Sequence, residues 1–380
     1  MGGLIISKHN LIKINYYTHE SDEHILTLGG NKWLPDTETG ELLQVLDDIS
    51  LTGKQRNWAL HKRENHSLEG YYREIAKISE YTQDYDDFQK WNNLANRLHN
   101  CASFLKFNVY ADVQASNGEC KKVVSMNSCK IRLCPMCAWR RSNKIFSQCR
   151  KIISAMEEEQ AYDYLLLTLT VPNVSSDRLI NKIDDMMSAF HKFIGYKRFK
   201  NAVLGWYRTL EITHNVNPYS KSFDTFHPHF HCILAVPKEW YFDTNYDFYI
   251  DQSEWLSMWQ KAMNDYSITQ VDVRKIRSRQ NQDIIGAICE VSKYTVKTGD
   301  YIVPSDWVLT INTIITLTEA LAYRRLVAFG GVMKDWHKKL NLDDPIDGDL
   351  MCDGEDVNGE LLRTECYIWN TGYQQYIRHS

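Results

Sequence analysis

No stretch of this chain is long and apolar enough to suggest a membrane span. The most apolar segment, "WVLTINTIITLTEALAY", is interrupted by Asn312 and Glu319. The start, "MGGLIISKHNLIK", lacks the charged residues, long apolar run and small-residue cleavage site of a secretory leader. It also lacks the Ser or Thr at position six that myristoylation needs. A cytoplasmic location is therefore the expectation. No internal repeat or low-complexity tract is visible. Nor is there an excess of basic charge: 44 Lys and Arg against 48 Asp and Glu leave a formal net charge of −4. That balance argues against an indiscriminate coat on nucleic acid, but it permits local concentrations of positive charge. Two are present, "WRRSNKIFSQCRK" from Trp139 and "VRKIRSR" from Val273.

What the chain does have is 380 residues with 43% hydrophobic and 24% charged content, enough for two or three globular units. Residues 1 to about 60 are polar and turn-rich ("LPDTETGE", "LTGKQRN") and read as weakly ordered or as a peripheral N-terminal extension. Residues 61–155 open with helical spacing of Tyr, Ile and Leu and run into a cysteine-rich zone at 101–137. A new unit starts near Tyr162 and extends to about 300. Alternating Leu and Thr in "YLLLTLTVPN" read as a strand ended by Pro172. An amphipathic helix, "LINKIDDMMSAFHKFIGYKRF", comes next. Two more strands, "LGWYRTLEITHN" and "HPHFHCILAV", are separated by the loop "NVNPYSKSFDTF" and so form an antiparallel hairpin. A helix over 253–264, the strand "ITQVDVRKI" and the helical text "DIIGAICEVSKYTVK" complete it. Residues 301–380 read as a helical C-terminal region, its last long helix interrupted at Gly330 and Gly331. Intermixed strands and helices with hairpins predict an α+β fold on a central antiparallel sheet flanked by helices.

Ten cysteines in a chain with no export signal favour metal binding over disulfides. "NSCKIRLCPMC" places Cys129, Cys134 and Cys137 within nine residues, and Cys134-Pro-Met-Cys137 is the two-residue knuckle that brings two thiolates to one tetrahedral zinc. Cys129 is the nearest further ligand, and Cys101 or Cys120 the fourth. A redox CxxC lacks the surrounding βαβ pattern it would need. Ordinary buried cysteines are the bland alternative, and three clustered cysteines weigh against it. Behind the knuckle, Arg140, Arg141 and Lys144 suit a helix carrying phosphate contacts, and a solvated basic face is nearly as good a reading. Arg274, Lys275 and Arg277 form the second basic group.

In "HPHFHCILAV", His227, His229 and His231 project from one face of a strand. Three imidazoles at that spacing are costly in a core without partners. A divalent cation on His229 and His231 needs a third ligand from the paired strand, and Glu211 in "TLEIT" is the best candidate. Two imidazoles and a carboxylate suit Mg²⁺ or Mn²⁺ poised on a phosphate. His227 is a ligand, a group supporting one or a strand-entry residue, and His214 has no assigned role. In "ICEVSKYTVK", Glu290 and Tyr294 share a helix face, with Lys293 and Lys297 beside them. A tyrosine hydroxyl can act as a nucleophile that leaves a covalent intermediate. The bland reading, solvent-facing Glu–Lys pairs in a chain with 22 tyrosines, is the stronger one without the histidine strand.

Taken in order, "YLLLTLTVPN", "HPHFHCILAV" and "EVSKYTVK" resemble the three motifs of HUH (His-hydrophobe-His) endonucleases. With "CKIRLCPMCAWRRS" before them and "RRLVAFGGVMK" after, the chain more closely resembles the rolling-circle replication initiators of small bacterial plasmids, over roughly residues 50–350. The resemblance implies that residues 160–300 are a nicking domain and 61–155 a zinc-binding, DNA-contacting region. It implies that Tyr294 attacks a phosphate of the double-strand origin, forming a 5′-phosphotyrosyl link and leaving a 3′-hydroxyl primer. Glu290 would then activate water for the terminating cleavage, and Lys297 would stabilise the phenolate or hold a phosphate. It further implies Mg²⁺ or Mn²⁺ on His229, His231 and Glu211, structural Zn²⁺, and Cys101 as the first zinc cysteine. Its partners would be origin DNA, partly single-stranded or in a hairpin, with a host helicase and polymerase; a homodimer stays open. Trp139 is a candidate for stacking on a base. The alternatives are a relaxase or single-strand transposase of the same class, and a non-enzymatic zinc-stabilised DNA-binding protein.

Overall fold

The structure, a computed structural model, describes residues 24–28, 31–50, 53–112, 115, 118–238, 240, 248–276, 282–292, 296–351 and 359–379. In chain order the elements are β1 (Leu26–Leu28), β2 (Asn31–Pro35), β3 (Leu42–Val45), α1 (Trp58–Tyr81), α2 (Tyr85–Asn100), β4 (Phe104–Ala111), β5 (Glu119–Met126), α3 (Pro135–Glu159), β6 (Tyr162–Thr170), α4 (Ser176–Gly195), α5 (Lys197–Ala202), β7 (Gly205–Asn215), β8 (Thr225–Pro237), α6 (Gln252–Met263), β9 (Val271–Ile276), α7 (Gln282–Val291), α8 (Thr298–Tyr301), α9 (Trp307–Leu321), β10 (Val327–Gly331), α10 (Val332–Lys339), β11 (Leu361–Asn370) and β12 (Gln375–Arg378). No helix among the described residues is long and apolar enough to cross a membrane.

The chain divides into two units, Met1–Cys129 with Val357–Ser380, and Lys130–Asp356. The first unit carries a seven-stranded sheet in the order β1-β2-β3-β12-β11-β4-β5, antiparallel throughout. Trp58 and Tyr367 each meet Phe107 edge-on, at 5.4 and 6.0 Å. Tyr72 of α1 meets Trp91 of α2 in the same way, at 5.4 Å.

This unit corrects four expectations. Leu26–Leu28, Asn31–Pro35 and Leu42–Val45 are sheet strands rather than part of a weakly ordered extension, and the chain's last strands return to complete that same sheet, Ile377 pairing with Val45. The C-terminal region is therefore not purely helical. Strands β4 and β5 also occupy the cysteine-rich zone, where no sheet was expected. Division of the chain at 129 and 356, rather than near 155 and 300, follows from this return, since non-local pairing is invisible to a linear reading.

The second unit is built on a five-stranded antiparallel sheet in the order β10-β7-β8-β6-β9. The expected strands, the hairpin and the helix at 253–264 are present. β8 lies in the middle, so both its neighbours can supply groups to its histidine face. Its alternate residues build the core on the other face. Phe230 sits 5.5 Å from Phe190 of α4 and 6.3 Å from Trp259 of α6. Such close-packed rings hold the strand rigid.

The interrupted helix expected at 317–340 is instead α9, β10 and α10. A Cβ at Gly330 would lie 2.1 Å from the Trp206 indole, and Gly331 has φ +55° with the Leu204 carbonyl 2.2 Å from where its Cβ would be. These glycines let a strand pass close to its neighbour and turn into a helix.

Candidate active site

Strand register gathers the expected metal ligands. Glu211 on β7 pairs with His229 on β8, and His231 lies between Thr209 and Thr168 of the flanking strands. One ligand atom from each of Glu211, His229 and His231 lies within 4.8 Å of the others. Glu211 Oε2 is 2.9 Å from His231 Nε2 and 3.5 Å from His229 Nε2, the side chains being 11–14% exposed. Burial would raise the Glu211 carboxyl, but hydrogen bonds and charge from His229 and His231 outweigh it and hold the group well below the usual carboxylate range.

The tautomers show whether this donor set fits a cation. His229 Nδ1 is 3.1 Å from the His227 carbonyl oxygen, which can only accept, so Nδ1 carries the hydrogen. In the neutral ring, Nε2 is then a lone pair facing a carboxylate oxygen at 3.5 Å. Two acceptors facing each other require positive charge between them, from a proton or a metal ion. His231 Nδ1 lies 3.1 Å from Thr168 Oγ1, a hydroxyl that can donate or accept and so suits either state. The residues fit a divalent cation, with backbone and hydroxyl partners orienting both rings.

His227 is half-buried with its ring 5.2 Å from His229, outside the three-residue group. Burial, and then the charge of His229, lower its pKa. It lines an open groove of about 600 Å³ with Thr168, Thr170, His231, Asp272 and Arg274.

Lys297 Nζ comes within 3.9 Å of Glu211 Oε1, its side chain mostly exposed. Glu290 is on α7, but its side chain, like the whole of Tyr294, lies outside the described residues. The described flanks of residues 293–295 are both tied to β7. Tyr207 OH donates to the Val291 carbonyl over 3.3 Å, and His214 Nδ1 donates to the Asp300 carbonyl over 3.2 Å.

The sequence reading missed Thr168, Tyr207 and His214 as contributors. Thr168 had a signal in the Leu–Thr alternation of β6, but only the β6–β8 register aligns that alternation with the histidines.

The second expected metal group is also brought together. One sulfur from each of Cys101, Cys129, Cys134 and Cys137 lies within 4.8 Å of the others, all four residues buried. Cys101 rather than Cys120 is the fourth member. Cys134 Sγ caps α3 by accepting from the Cys137 amide, and Cys101 Sγ accepts from the Cys129 amide, both at 3.5 Å. Buried Lys62 donates to the Cys101 carbonyl over 2.6 Å, and Arg97 donates to that of Cys129 over 2.5 Å. Four buried sulfurs with amide donors and nearby cations fit a metal such as zinc.

The first basic group does something other than expected. Arg140, Arg141 and Lys144 are buried at 0, 5 and 2% exposure. Arg140 donates to the Leu350 and Met351 carbonyls at 2.9 and 2.8 Å, Arg141 to that of Ile346 at 3.5 Å, and Lys144 to Asp343 Oδ2 and the Asp344 carbonyl at 2.7 Å each. These side chains hold the acidic segment 343–351, whose buried carbonyls need donors. They are neither phosphate contacts nor a solvated face. Trp139 beside them is half-buried, its ring 5.5 Å from the Arg140 guanidinium. In the second basic group, Arg274 is 71% exposed beside Asp272, Lys275 pairs with Asp163 at 3.2 Å, and Arg277 lies outside the described residues.

Comparison with known proteins shows the family of this chain. Residues 120–377 match the family described as "Replication protein". A "Protein rep" of Bacillus amyloliquefaciens is 37% identical over 355 residues, covering 88% of this chain and 97% of its own. A "Protein rep" of Streptococcus pneumoniae is 30% identical over 336 residues, covering 88% and 95%. A "Protein rep" of Staphylococcus aureus is 35% identical over 235 residues, covering 60% and 96%. No solved structure matches significantly. With more than half its length inside the family match, and relatives aligned along nearly their whole length, the chain belongs to the replication protein family.

Proposed function

We propose that this replication protein initiates rolling-circle replication by nicking one strand of its plasmid's double-strand origin. The observation that carries the reading is the Glu211–His229–His231 group on two paired strands, with His231 lining an open groove. A divalent ion bound there, Mg²⁺ or Mn²⁺, would polarise the phosphate oxygens of the scissile bond. The chain's own residues do the rest. Tyr294 attacks phosphorus through its phenolic oxygen and gives up its proton. The P–O3′ bond breaks, the new O–P bond holds the 5′ side of the strand, and the 3′ oxygen leaves as a hydroxyl that primes synthesis. Lys297, which reaches Glu211 and follows Tyr294 by three residues, supplies positive charge for the phenolate or the phosphate. Glu290, four residues before Tyr294 in sequence, activates water for the closing cleavage. Exposed Arg274 on the groove contacts the DNA backbone. The four-cysteine group carries structural Zn²⁺.

The test is incubation of the protein with Mn²⁺ and an oligonucleotide spanning the plasmid's own origin. A covalent protein–DNA adduct mapping to Tyr294 is expected, absent in Tyr294→Phe. An intact oligonucleotide in the presence of wild-type protein overturns the proposal.

A further inference from the structure

The turn joining β7 to β8, residues 216–224, is bonded to itself and to its strands throughout. Asn215 Nδ2 donates to Ser220 Oγ and Ser222 Oγ at 2.9 and 2.7 Å, and its Oδ1 accepts from the Asn217 amide at 3.1 Å. Asn217 Oδ1 in turn accepts from the Tyr219 amide at 3.1 Å. The Thr225 hydroxyl donates to the Ser222 carbonyl at 2.6 Å and accepts from Asn173 at 2.9 Å. Asp224, at φ +55°, is 2.9 Å from Nε2 of His214, which is buried and stacked on Phe226 at 4.3 Å.

A turn held this firmly loses little conformational freedom when something binds it. What it presents is aromatic and cationic: Tyr219 is 96% exposed, Phe223 is 39% exposed, and Lys221 between them is also exposed. Aromatic faces interleaved with positive charge are the elements on which unpaired bases stack. The strand leading out of the turn is the one that carries the histidines. From His229 back to Thr225 the strand covers roughly 13 Å, about four nucleotides of stacked single strand. On the nicking reading, a strand running along β8 away from the histidines would meet this tip.

We propose that the β7–β8 tip, chiefly through Tyr219, stacks on an unpaired base a few nucleotides from the scissile phosphate, so that the site selects single-stranded over paired DNA. A paired base has no free face to offer the ring. The inference rests on the nicking reading for the position of the scissile phosphate, but stacking is measured independently of cleavage.

The experiment uses the single strand of the origin belonging to the replicon that encodes the chain, with 2-aminopurine walked through successive positions. Wild-type protein should quench the fluorescence at one or two of them. Tyr219→Ala should remove that quenching and weaken binding roughly five- to hundredfold, and Tyr219→Phe should retain both. An abasic nucleotide at the quenched position should weaken wild-type binding by the same factor. Combining it with Tyr219→Ala should cost nothing further, because both changes remove one contact. Equal binding by Tyr219→Ala and wild type, or losses that add, overturn the inference. So does wild-type protein that fails to bind the single strand. Binding and quenching without cleavage leave the stacking inference standing and overturn the nicking proposal instead.

Discussion

Glu211 stands directly opposite His229 across the β7–β8 pair, its Oε2 3.5 Å from His229 Nε2, while His229 Nδ1 faces the His227 carbonyl. With Nε2 of the neutral ring a lone pair, the two facing acceptors require positive charge between them, from a proton or a metal ion. This pair makes the histidine-rich strand a candidate cation site.

If a divalent ion occupies the site, its affinity depends on how His231 is oriented. Thr168→Val removes the partner of His231 Nδ1 and should weaken Mn²⁺ binding about tenfold, as loss of an orienting group commonly does. Glu211→Gln should weaken it further, because the anionic ligand is gone. Both are measured by titrating Mn²⁺ paramagnetic resonance in the absence of DNA. Unchanged affinity in Glu211→Gln would assign the three residues a purely structural role.

Closing the nicking cycle calls on a different residue from opening it. Glu290→Gln should leave the first Tyr294–DNA adduct within a few-fold of wild type while slowing release of the protein at least tenfold. Single-turnover gels that resolve adduct from free product check this. Equal loss of both steps would remove Glu290 from its assigned role.

The two basic groups should separate cleanly. Arg140→Ala leaves the Leu350 and Met351 carbonyls without their donor, costing roughly 2 kcal/mol and several degrees of melting temperature. The salt dependence of DNA binding should not change. Arg274→Ala should do the reverse, leaving melting unaltered and lowering the slope of log K against log salt by about one.

Metal content is expected at about one zinc per chain, lost in Cys134→Ser and retained in Cys232→Ser. Cys232 is buried in the sheet core and outside the four-cysteine group. Elemental analysis of the purified variants measures both.

A pH dependence follows from Glu69. Burial would raise its carboxyl, but hydrogen bonds from His66 and Arg73 and the charge of His99 lower it to about 2. A depressed carboxylate contributes stability above its ordinary value of 4.5, and that contribution fades as pH falls toward 2. Glu69→Gln should therefore cost roughly 2 kcal/mol at pH 7, after allowance for solvent screening, and little near pH 2. Denaturant titrations between these values should show the two curves converging.

Much of this was legible from local pattern. Alternation in "YLLLTLTVPN" and "HPHFHCILAV" is a property of the strand itself, as is the knuckle in "CPMC". Their neighbours could be named because hairpins join residues close in sequence, which is how Glu211 could be chosen as a third ligand from the paired strand without a structure.

Long-range pairing was not legible. The return of β11 and β12 to complete a sheet begun near residue 26 joins residues more than three hundred positions apart, and no local periodicity records such a partnership. For the same reason the Arg140 stripe resembled a DNA contact: a basic helix face looks alike whether it meets phosphate or a distant run of carbonyls. The sequence alone determined which residues are candidates for the chemistry, because chemical type and spacing on one strand or helix are local. Tertiary structure decided which charges are spent on the fold, which cysteine joins the other three, and that Thr168 supports His231, because each depends on what another part of the chain brings alongside.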